Sequence, residues 1–150
     1  MVPAAHKQQV KPRVYVSRRF HFSAAHRIYN PAWSDAENAR VFGPCSHPAG
    51  HGHNYELEVV IAGSPHPDTG YVMDIALLKK LVEENVLSQL DHRNLNTDVP
   101  FLADQIPTSE NLIVSLWREI QRLLPSEVQL VELRLWETPR NCFIYHGETY

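Results

Sequence analysis

Apolar and polar residues alternate in two segments of the first half of the chain, as expected for β-strands with one buried face. In residues 14–22 the even positions are largely apolar, and Arg18 is the exception. In residues 51–61 the apolar side chains lie at the odd positions from Tyr55 onward, with acidic residues between them. The chain is therefore predicted to begin with two strands.

The segment between these strands, residues 29–50, is polar and rich in turn formers. Within it the sequence SDAENARVF favours a short helix capped by Ser34 or Asp35. The segment is long for a plain connection in a compact domain, so we expect it to have a function.

In the second half of the chain the apolar spacing changes to three and four residues, which is typical of amphipathic helices. One helix is predicted to begin after Asp74 as its N-cap, and a second after Thr108 or Ser109. Alternation returns over residues 128–137 and 142–146, which predicts two more strands. The predicted order of elements is ββααββ.

This order predicts an α+β fold in which two helices cover one face of a four-stranded antiparallel sheet. The other face is left to solvent or to another chain, and open strand edges favour contact with another chain. Residues 1–12 lack apolar periodicity and contain two prolines, so they are predicted to form a disordered N-terminal arm. Residues 13–150 are predicted to form a single domain.

Composition narrows the class of protein. The chain has 150 residues, 43% of them hydrophobic, and its 14 basic and 17 acidic residues give a net charge of −3. No basic patch for nucleic acid stands out, and no apolar run approaches the roughly 20 residues of a membrane span. The polar start of the chain also lacks the apolar stretch of a secretory signal. We therefore expect a cytoplasmic protein that binds neither nucleic acid nor membrane.

The motif HGHN contains the strongest chemical signal. Histidines two apart on a strand point to the same face, so His51 and His53 can bind one metal ion. His26 is the best candidate for a third ligand, since it lies just past the first strand and consecutive strands are often neighbours. Three histidines predict a zinc site with one open position, as in catalytic sites, although nickel, cobalt and iron also suit imidazole. The alternative is that His51 and His53 are two ordinary histidines of a strand and bind no metal.

Cys45 lies on a loop of glycines and prolines, six residues before His51. Its thiol could be a fourth metal ligand, or it could stay off the metal as a thiolate that acts as a base. The alternative is that Cys45 is a small buried residue without a chemical role. We expect that of Cys142, which lies in a short apolar strand.

Two further candidates lie in the second half of the chain. Asp91 next to His92 could fix the tautomer of the imidazole and make it a general acid or base, or the two could be a polar pair at a helix end. Glu137 interrupts an alternating strand, where its carboxylate could accept two N–H bonds from a guanidine-like heterocycle. A solvated strand end is the alternative for Glu137.

Together the motifs FSAAHR, SDAENARVFGPCSHPAGHGHNY, LDHRNLNTDVP, PTSEN and WET resemble the 6-pyruvoyltetrahydropterin synthase family in order and spacing. The resemblance runs from about Arg18 to Glu148. It implies a T-fold subunit whose sheets join into barrels in trimers, and a homohexamer of two trimers with active sites between subunits. It also implies zinc-dependent conversion of 7,8-dihydroneopterin triphosphate to 6-pyruvoyltetrahydropterin, with loss of triphosphate, in tetrahydrobiopterin biosynthesis.

The resemblance implies a role for each candidate residue of the reaction centre. Three histidines match the zinc ligands: His26, His51 and His53. Cys45 matches the cysteine that moves side-chain protons, and Asp91 and His92 match the acid–base pair.

The resemblance also implies contacts with the substrate. Glu137 matches the glutamate that anchors the pterin. The pterin-pocket segment contains Thr108, Ser109 and Glu110, and the family often has threonine where Ser109 stands. Arg18 and Arg27 lie where basic residues could contact the triphosphate.

The nearest alternative is 6-carboxytetrahydropterin synthase of queuosine biosynthesis, which resembles this family and removes the side chain of the same substrate as acetaldehyde. Its cysteine usually stands closer to HGH, whereas five residues separate Cys45 from His51 here, as in the pyruvoyl-forming enzymes. A three-histidine zinc hydrolase and a non-catalytic pterin-binding subunit are alternatives of other classes.

Overall fold

A computed structural model describes residues 10–150, in which five strands form one sheet. The strands are β1 (Val14–His26), β2 (His51–Gly63), β3 (Arg93–Asn94), β4 (Gln129–Thr138) and β5 (Asn141–Tyr145). The α-helices are α1 (Asp35–Phe42), α2 (Ile75–Asn85) and α3 (Ser109–Gln121). Single turns of 3-10 helix span Gly43–Ser46, Leu87–Gln89 and Pro100–Leu102. The strand order across the sheet is β3-β1-β2-β4-β5.

The predicted α+β class is confirmed, but the prediction of four antiparallel strands is wrong by one strand. The additional strand, β3, has two residues and pairs with β1 in parallel, while the other strand pairs are antiparallel. A strand of two residues is too short for apolar alternation to reveal it. It exists because the backbone after α2 runs along the edge of β1, where the Leu95 N–H donates to the Ala25 carbonyl at 2.8 Å.

The hydrophobic core lies between the sheet and the two longer helices. The inward residues of β2 are buried as their alternation predicted, and they are Tyr55, Leu57, Val59 and Ile61. From α3 the core receives the buried Leu112, Leu116 and Ile120, and from α2 it receives Leu78 and Val82. The opposite face of the sheet carries polar and charged side chains that include Arg19, Glu56 and Arg134.

Side-chain caps define where the helices begin. Ser34 accepts a hydrogen bond from the Glu37 N–H and begins α1, which confirms the short helix predicted between the first two strands. Asp74 begins α2 and Thr108 begins α3, each by accepting a backbone N–H of the first turn. Since α2 ends at Asn85, the Asp91–His92 pair lies in the turn that leads to β3.

The first strand is longer than its alternation predicted, because it continues to His26. The predicted arm lies outside the described residues up to residue 9, and at its end the Pro12 carbonyl accepts a hydrogen bond from the Ser64 hydroxyl at 2.8 Å. Within residues 10–150, no helix is both long and apolar enough to cross a membrane.

Candidate metal site

Three histidines converge where β1 ends and β2 begins. His26 and His51 are register partners, and His53 lies two residues further along β2 on the same face. One ring nitrogen from each residue lies within 4.8 Å of those of the other two, and the Nε2 atoms of His26 and His51 are 3.0 Å apart. The predicted metal-ligand set is therefore brought together by the pairing of two strands.

Gly50 allows this close approach. Its φ of +69° lies in the left-handed region, and a Cβ atom there would be 2.9 Å from the carbonyl oxygen of His26. A side chain at position 50 would therefore push β2 away from β1 just where the first two histidines meet.

His26 is held in the form that binds a metal. Its ring is 1% exposed, and its Nδ1 lies 2.8 Å from the carbonyl oxygen of Pro107. Because a carbonyl can only accept, Nδ1 carries the proton and Nε2 presents its lone pair to the other histidines. Burial lowers the pKa of His26, and the neighbouring His51 and His53 lower it further, against the raising effect of Pro107 and Glu137.

His53 provides a test of whether a cation fits. Its Nε2 atom is buried and has no hydrogen-bond partner within residues 10–150. Burial lowers the pKa of His53, and in the neutral ring with its proton on Nδ1 this nitrogen offers a lone pair that no donor meets. Such an unsatisfied atom costs about 1–3 kcal/mol, which a bound metal ion would remove. The donor set and this orphaned nitrogen both fit a metal with three imidazole ligands.

Glu137 lies beside the same nitrogens. Its Oε1 atom is 3.6 Å from Nε2 of His53 and 3.8 Å from Nε2 of His26. These are close polar approaches rather than ion pairs, because burial keeps both rings neutral. Leu133, Leu135 and Glu137 are alternate residues of β4, so Glu137 lies on the inward face of the sheet and is the polar residue that interrupts the apolar alternation of the sequence. The register of β4 against β5 shifts next to it, between Trp136 and Thr138.

The predicted pterin-pocket segment reaches the site through one residue. Ser109 is 2% exposed, and its hydroxyl donates to Oε1 of Glu137 at 3.0 Å. Thr108 uses its hydroxyl to cap α3 through the Asn111 N–H, and Glu110 is exposed on the first turn. Ser109 therefore contacts the site, whereas Thr108 and Glu110 lie next to it in the chain.

Cys45 lies in the 3-10 turn of residues 43–46, and hydrogen bonds join this turn to the residues that follow His26. Its carbonyl accepts the Ile28 N–H at 2.9 Å, and the next carbonyl, of Ser46, accepts from Nε of Arg27 at 2.7 Å. The residue is exposed, as its predicted chemical role requires. Cys142 is exposed too, so the expectation that it is buried is wrong: its side chain lies on the open face of the edge strand β5.

Asp91 and His92 form the predicted pair, with Oδ2 of Asp91 3.0 Å from Nδ1 of His92. The backbone of Ser23 fixes both residues, because its N–H donates to Asp91 at 2.8 Å and its carbonyl accepts from the His92 N–H at 2.6 Å. The Ser23 N–H, and then His92, lower the pKa of Asp91. His92 has a φ of +59° and its side chain is 83% exposed.

The pair is not in contact with the three histidines. No hydrogen bond or ion pair found within residues 10–150 joins Asp91 or His92 to the cluster or to Cys45. A groove of about 570 Å³ is lined by residues that include His92, Ser23, Asn54 and His53. One chain thus carries the predicted acid–base pair and the three histidines at separate points along β1.

The two predicted phosphate-binding arginines lie elsewhere. Arg27 is engaged within the fold: besides its bond to Ser46, its guanidinium lies 4.0 Å from the centre of the Tyr29 ring and 3.7 Å from Asp35. Arg18 precedes His26 by eight residues on an extended strand, roughly 26 Å along the backbone. Within residues 10–150, no hydrogen bond or ion pair joins either guanidinium to the three histidines.

Tyr55 belongs to the site although its sequence position predicted only a core residue. It follows His51 and His53 as the third inward residue of β2, and its ring centre is 5.5 Å from that of His53. Its other side stacks on Phe22 at 4.8 Å. The residue is 1% exposed, and its hydroxyl is buried without a hydrogen-bond partner of good geometry in the described residues. The sequence signal that could have identified Tyr55 as a site residue was a tyrosine, with its polar hydroxyl, directly after the motif HGHN.

Comparisons with known proteins agree with this geometry. A family model described as 6-pyruvoyl tetrahydropterin synthase matches residues 15–148. Proteins named 6-pyruvoyl tetrahydrobiopterin synthase from Pongo abelii and Homo sapiens are 49% and 47% identical, and each alignment covers 89% of this chain and 91% of the relative. The structure of Caenorhabditis elegans 6-pyruvoyl tetrahydropterin synthase superposes with a TM-score of 0.84 at 41% identity, covering 92% of this chain and 98% of that one. These similarities confirm the fold predicted from the sequence motifs.

Proposed function

The chain belongs to the 6-pyruvoyl tetrahydropterin synthase family, and we propose that it converts 7,8-dihydroneopterin triphosphate to 6-pyruvoyltetrahydropterin with elimination of triphosphate. The chain is an enzyme of this family, and its relatives are named for a synthase of tetrahydrobiopterin biosynthesis. The observation that carries the proposal is the convergence of His26, His51 and His53 beside Glu137. Metal ligands and a carboxylate within one site suit a substrate with both hydroxyl groups and a guanidine-like ring edge.

Zinc is the proposed metal, because three neutral imidazoles with an open fourth position are typical of catalytic zinc. The ion would supply a Lewis acid for the hydroxyl oxygens of the substrate side chain, and this would acidify the neighbouring C–H bonds. The protein's part is to present three lone pairs: the Pro107 carbonyl orients His26, and burial keeps His26 and His53 neutral.

Glu137 is proposed to anchor the pterin. The Ser109 hydroxyl donates to one carboxylate oxygen, so the carboxylate is held as an acceptor. The two N–H groups on one edge of a pterin are donors that match a carboxylate in a bidentate arrangement. Thr108 and Glu110 border this place in the chain and are proposed to complete the pocket.

Proton transfers are proposed for Cys45 and for the Asp91–His92 pair. The Cys45 thiolate would take a proton from the substrate side chain, which an exposed thiol on a fastened turn can do. The low pKa of Asp91 keeps it ionised, so it accepts the Nδ1–H of His92 and leaves Nε2 free to exchange a proton with substrate.

The site is proposed to be completed between subunits of a homohexamer made of two trimers. The separation of His92 from the histidine cluster supports this, because one chain alone does not bring them into contact. The uncovered face of the sheet supports the oligomer as well, because it carries apolar side chains. Ile144 is 54% exposed there, and the ring of Trp136 lies 4.8 Å from the guanidinium of Arg19. Arg18 and Arg27 remain the proposed contacts of the triphosphate, and for Arg18 the partner site would be on another subunit.

The test is to incubate the zinc-loaded protein with 7,8-dihydroneopterin triphosphate and to identify the products by mass spectrometry. Release of triphosphate with formation of 6-pyruvoyltetrahydropterin is expected. Acetaldehyde and a carboxypterin would instead identify the carboxy-forming activity. Full activity of Cys45→Ala would point to a zinc hydrolase, and tight pterin binding without release of triphosphate would point to a non-catalytic subunit.

A further inference from the structure

Tyr55 separates the apolar core from the metal site. Its ring stacks on Phe22 on one side and meets the edges of the His53 and His26 rings on the other, with centre-to-centre distances of 5.5 and 6.4 Å to the histidines. Phenylalanine would fill this place equally well and would bury no polar atom. The hydroxyl is therefore the feature that requires an explanation, because a buried tyrosine normally finds a partner for it.

The register of β2 against β4 pairs Glu56 with Trp136 and Leu57 with Leu135, so Tyr55 lies across from Glu137 on the inward face. The Ser109 hydroxyl donates to this carboxylate, which makes Ser109 and Glu137 the polar groups beside Tyr55. Tyr55 is 1% exposed and its hydroxyl has no hydrogen bond within the described residues, while the Ser109 hydroxyl already donates to Glu137 at 3.0 Å. Each hydroxyl has one proton. Since Ser109 uses its proton on Glu137, it can only accept from Tyr55, so the direction of a hydrogen-bonded chain through the three residues is fixed.

We propose that Tyr55 is a positioning residue for the pterin anchor: in the occupied site its hydroxyl donates to Ser109, which donates to Glu137. The chain of donors holds the carboxylate as an acceptor and directs its remaining lone pairs toward the ligand. Consecutive hydrogen bonds polarise one another, so the bond from Tyr55 strengthens the bond by which Ser109 holds the Glu137 carboxylate in place. This inference rests on the proposed function, because it assumes that Glu137 accepts hydrogen bonds from a pterin.

The test is a double-mutant cycle of Tyr55→Phe and Ser109→Ala, with 7,8-dihydroneopterin as the binding probe and the triphosphate as the substrate. Tyr55→Phe is expected to raise both the Kd for the probe and the KM about fivefold to tenfold, with kcat changed less than twofold and zinc content unchanged. If Tyr55 acts through Ser109, adding Tyr55→Phe to Ser109→Ala causes no further loss. Tyr145→Phe, which removes a hydroxyl bonded to the Glu148 carbonyl from a ring that packs on Trp117, is the matched control and should bind the probe like wild type.

Two results would overturn the inference. One is a Tyr55→Phe protein whose Kd and KM stay within twofold of wild type. The other is a loss from Tyr55→Phe that persists in full in the Ser109→Ala background, which would mean that the hydroxyl contacts the ligand directly.

Urea unfolding shows whether the fold survives, and Tyr55→Phe is expected to be at least as stable as wild type because it removes an unpartnered buried hydroxyl. If wild type itself neither binds the probe nor releases triphosphate, the proposed function fails; if only Tyr55→Phe is indistinguishable from wild type, the inference fails alone.

Discussion

His26 and His51 face each other as register partners of β1 and β2, with their Nε2 atoms 3.0 Å apart. The pair depends on two backbone features outside the rings. The Pro107 carbonyl holds Nδ1 of His26 at 2.8 Å, and the glycine before His51 lets the two strands approach. The candidate metal site is thus a consequence of strand pairing, which brings its three histidines together.

Replacement of any one of the three histidines by alanine is expected to lower zinc content from one ion per chain to less than a tenth. Two imidazoles hold zinc far more weakly than three, and catalytic activity should fall with the metal. Zinc content after dialysis, measured by mass spectrometry, checks this for His26→Ala, His51→Ala and His53→Ala.

His66→Ala is the control for these variants, since His66 is exposed in a turn near Asp68 and should leave zinc content unchanged. Chelation of the metal from wild type is expected to lower the melting temperature, because a ligand at 100 times its Kd contributes about 2.7 kcal/mol of stability. Full zinc content in two of the three histidine variants would rule out the assigned ligand set.

Gly50→Ala is expected to destabilise the fold and to weaken zinc binding. The added Cβ meets the His26 carbonyl oxygen at 2.9 Å, and the φ of +69° disfavours any side chain. We expect a loss of about 2–4 kcal/mol in the free energy of unfolding, from backbone strain and the steric contact together.

Gly70→Ala separates these two effects. Gly70 has a comparable φ of +75°, but a Cβ there would have no atom within 4 Å. It should lose only about 1 kcal/mol and keep the wild-type affinity for zinc. Equal losses of zinc affinity in the two variants would show that the close approach to His26 is irrelevant to the site.

Much of the site followed from the sequence because its signals are local. The two histidines of HGHN need only a strand to share a face, and Asp74 and Thr108 cap helices as short-range patterns predict. Glu137 was visible as a polar residue in an apolar series, although its approach to Nε2 of His53 was not.

The remaining features depend on contacts between distant parts of the chain. The strand β3 forms because the Ser23 and Ala25 carbonyls accept backbone N–H groups from residues 92 and 95, and two residues leave no pattern. Tyr55 is buried as expected of a core residue, and only the pairing of β2 with β4 and the contact of α3 with β4 place Glu137 and Ser109 beside it. Arg27 matched a phosphate-binding position by its place in the sequence, whereas its contacts with Ser46 and Tyr29 are visible only in three dimensions.

Asp91→Asn is expected to reduce both activity and stability at neutral pH, with the stability difference disappearing in acid. The pKa of Asp91 is lowered in the folded state by the Ser23 N–H and by His92. A lowered carboxyl pKa contributes stability above the unfolded value of about 3.9, and that contribution is lost as the pH falls through the folded value. Since the carboxylate is half exposed, the effect should be about 0.5–1 kcal/mol at pH 7.

Urea unfolding of wild type and Asp91→Asn between pH 7 and pH 3 checks this prediction. The asparagine oxygen can still accept from Ser23, so the variant isolates the negative charge and its hold on His92. Asp68→Asn, at an exposed turn position, serves as the control for removing a surface charge. A stability difference between wild type and Asp91→Asn that grows toward acid pH would contradict the predicted direction.

Mixed oligomers of Cys45→Ala and His92→Ala chains are expected to regain activity that neither variant has alone. Each single variant should lose about 10²-fold to 10⁴-fold in kcat while retaining zinc, because each removes a proton-transfer group and no metal ligand. If Cys45 of one chain works with His92 of a neighbour, random mixing in equal amounts restores about a quarter of the sites. The control is a chain that carries both substitutions, mixed in equal amounts with wild type. About a quarter of the sites stay intact if each site is shared between two chains, and about half if each chain forms its own site. No recovery in the first mixture, together with half activity in the second, would place Cys45 and His92 in one chain's site and require the segment of residues 91–96 to move toward the histidines.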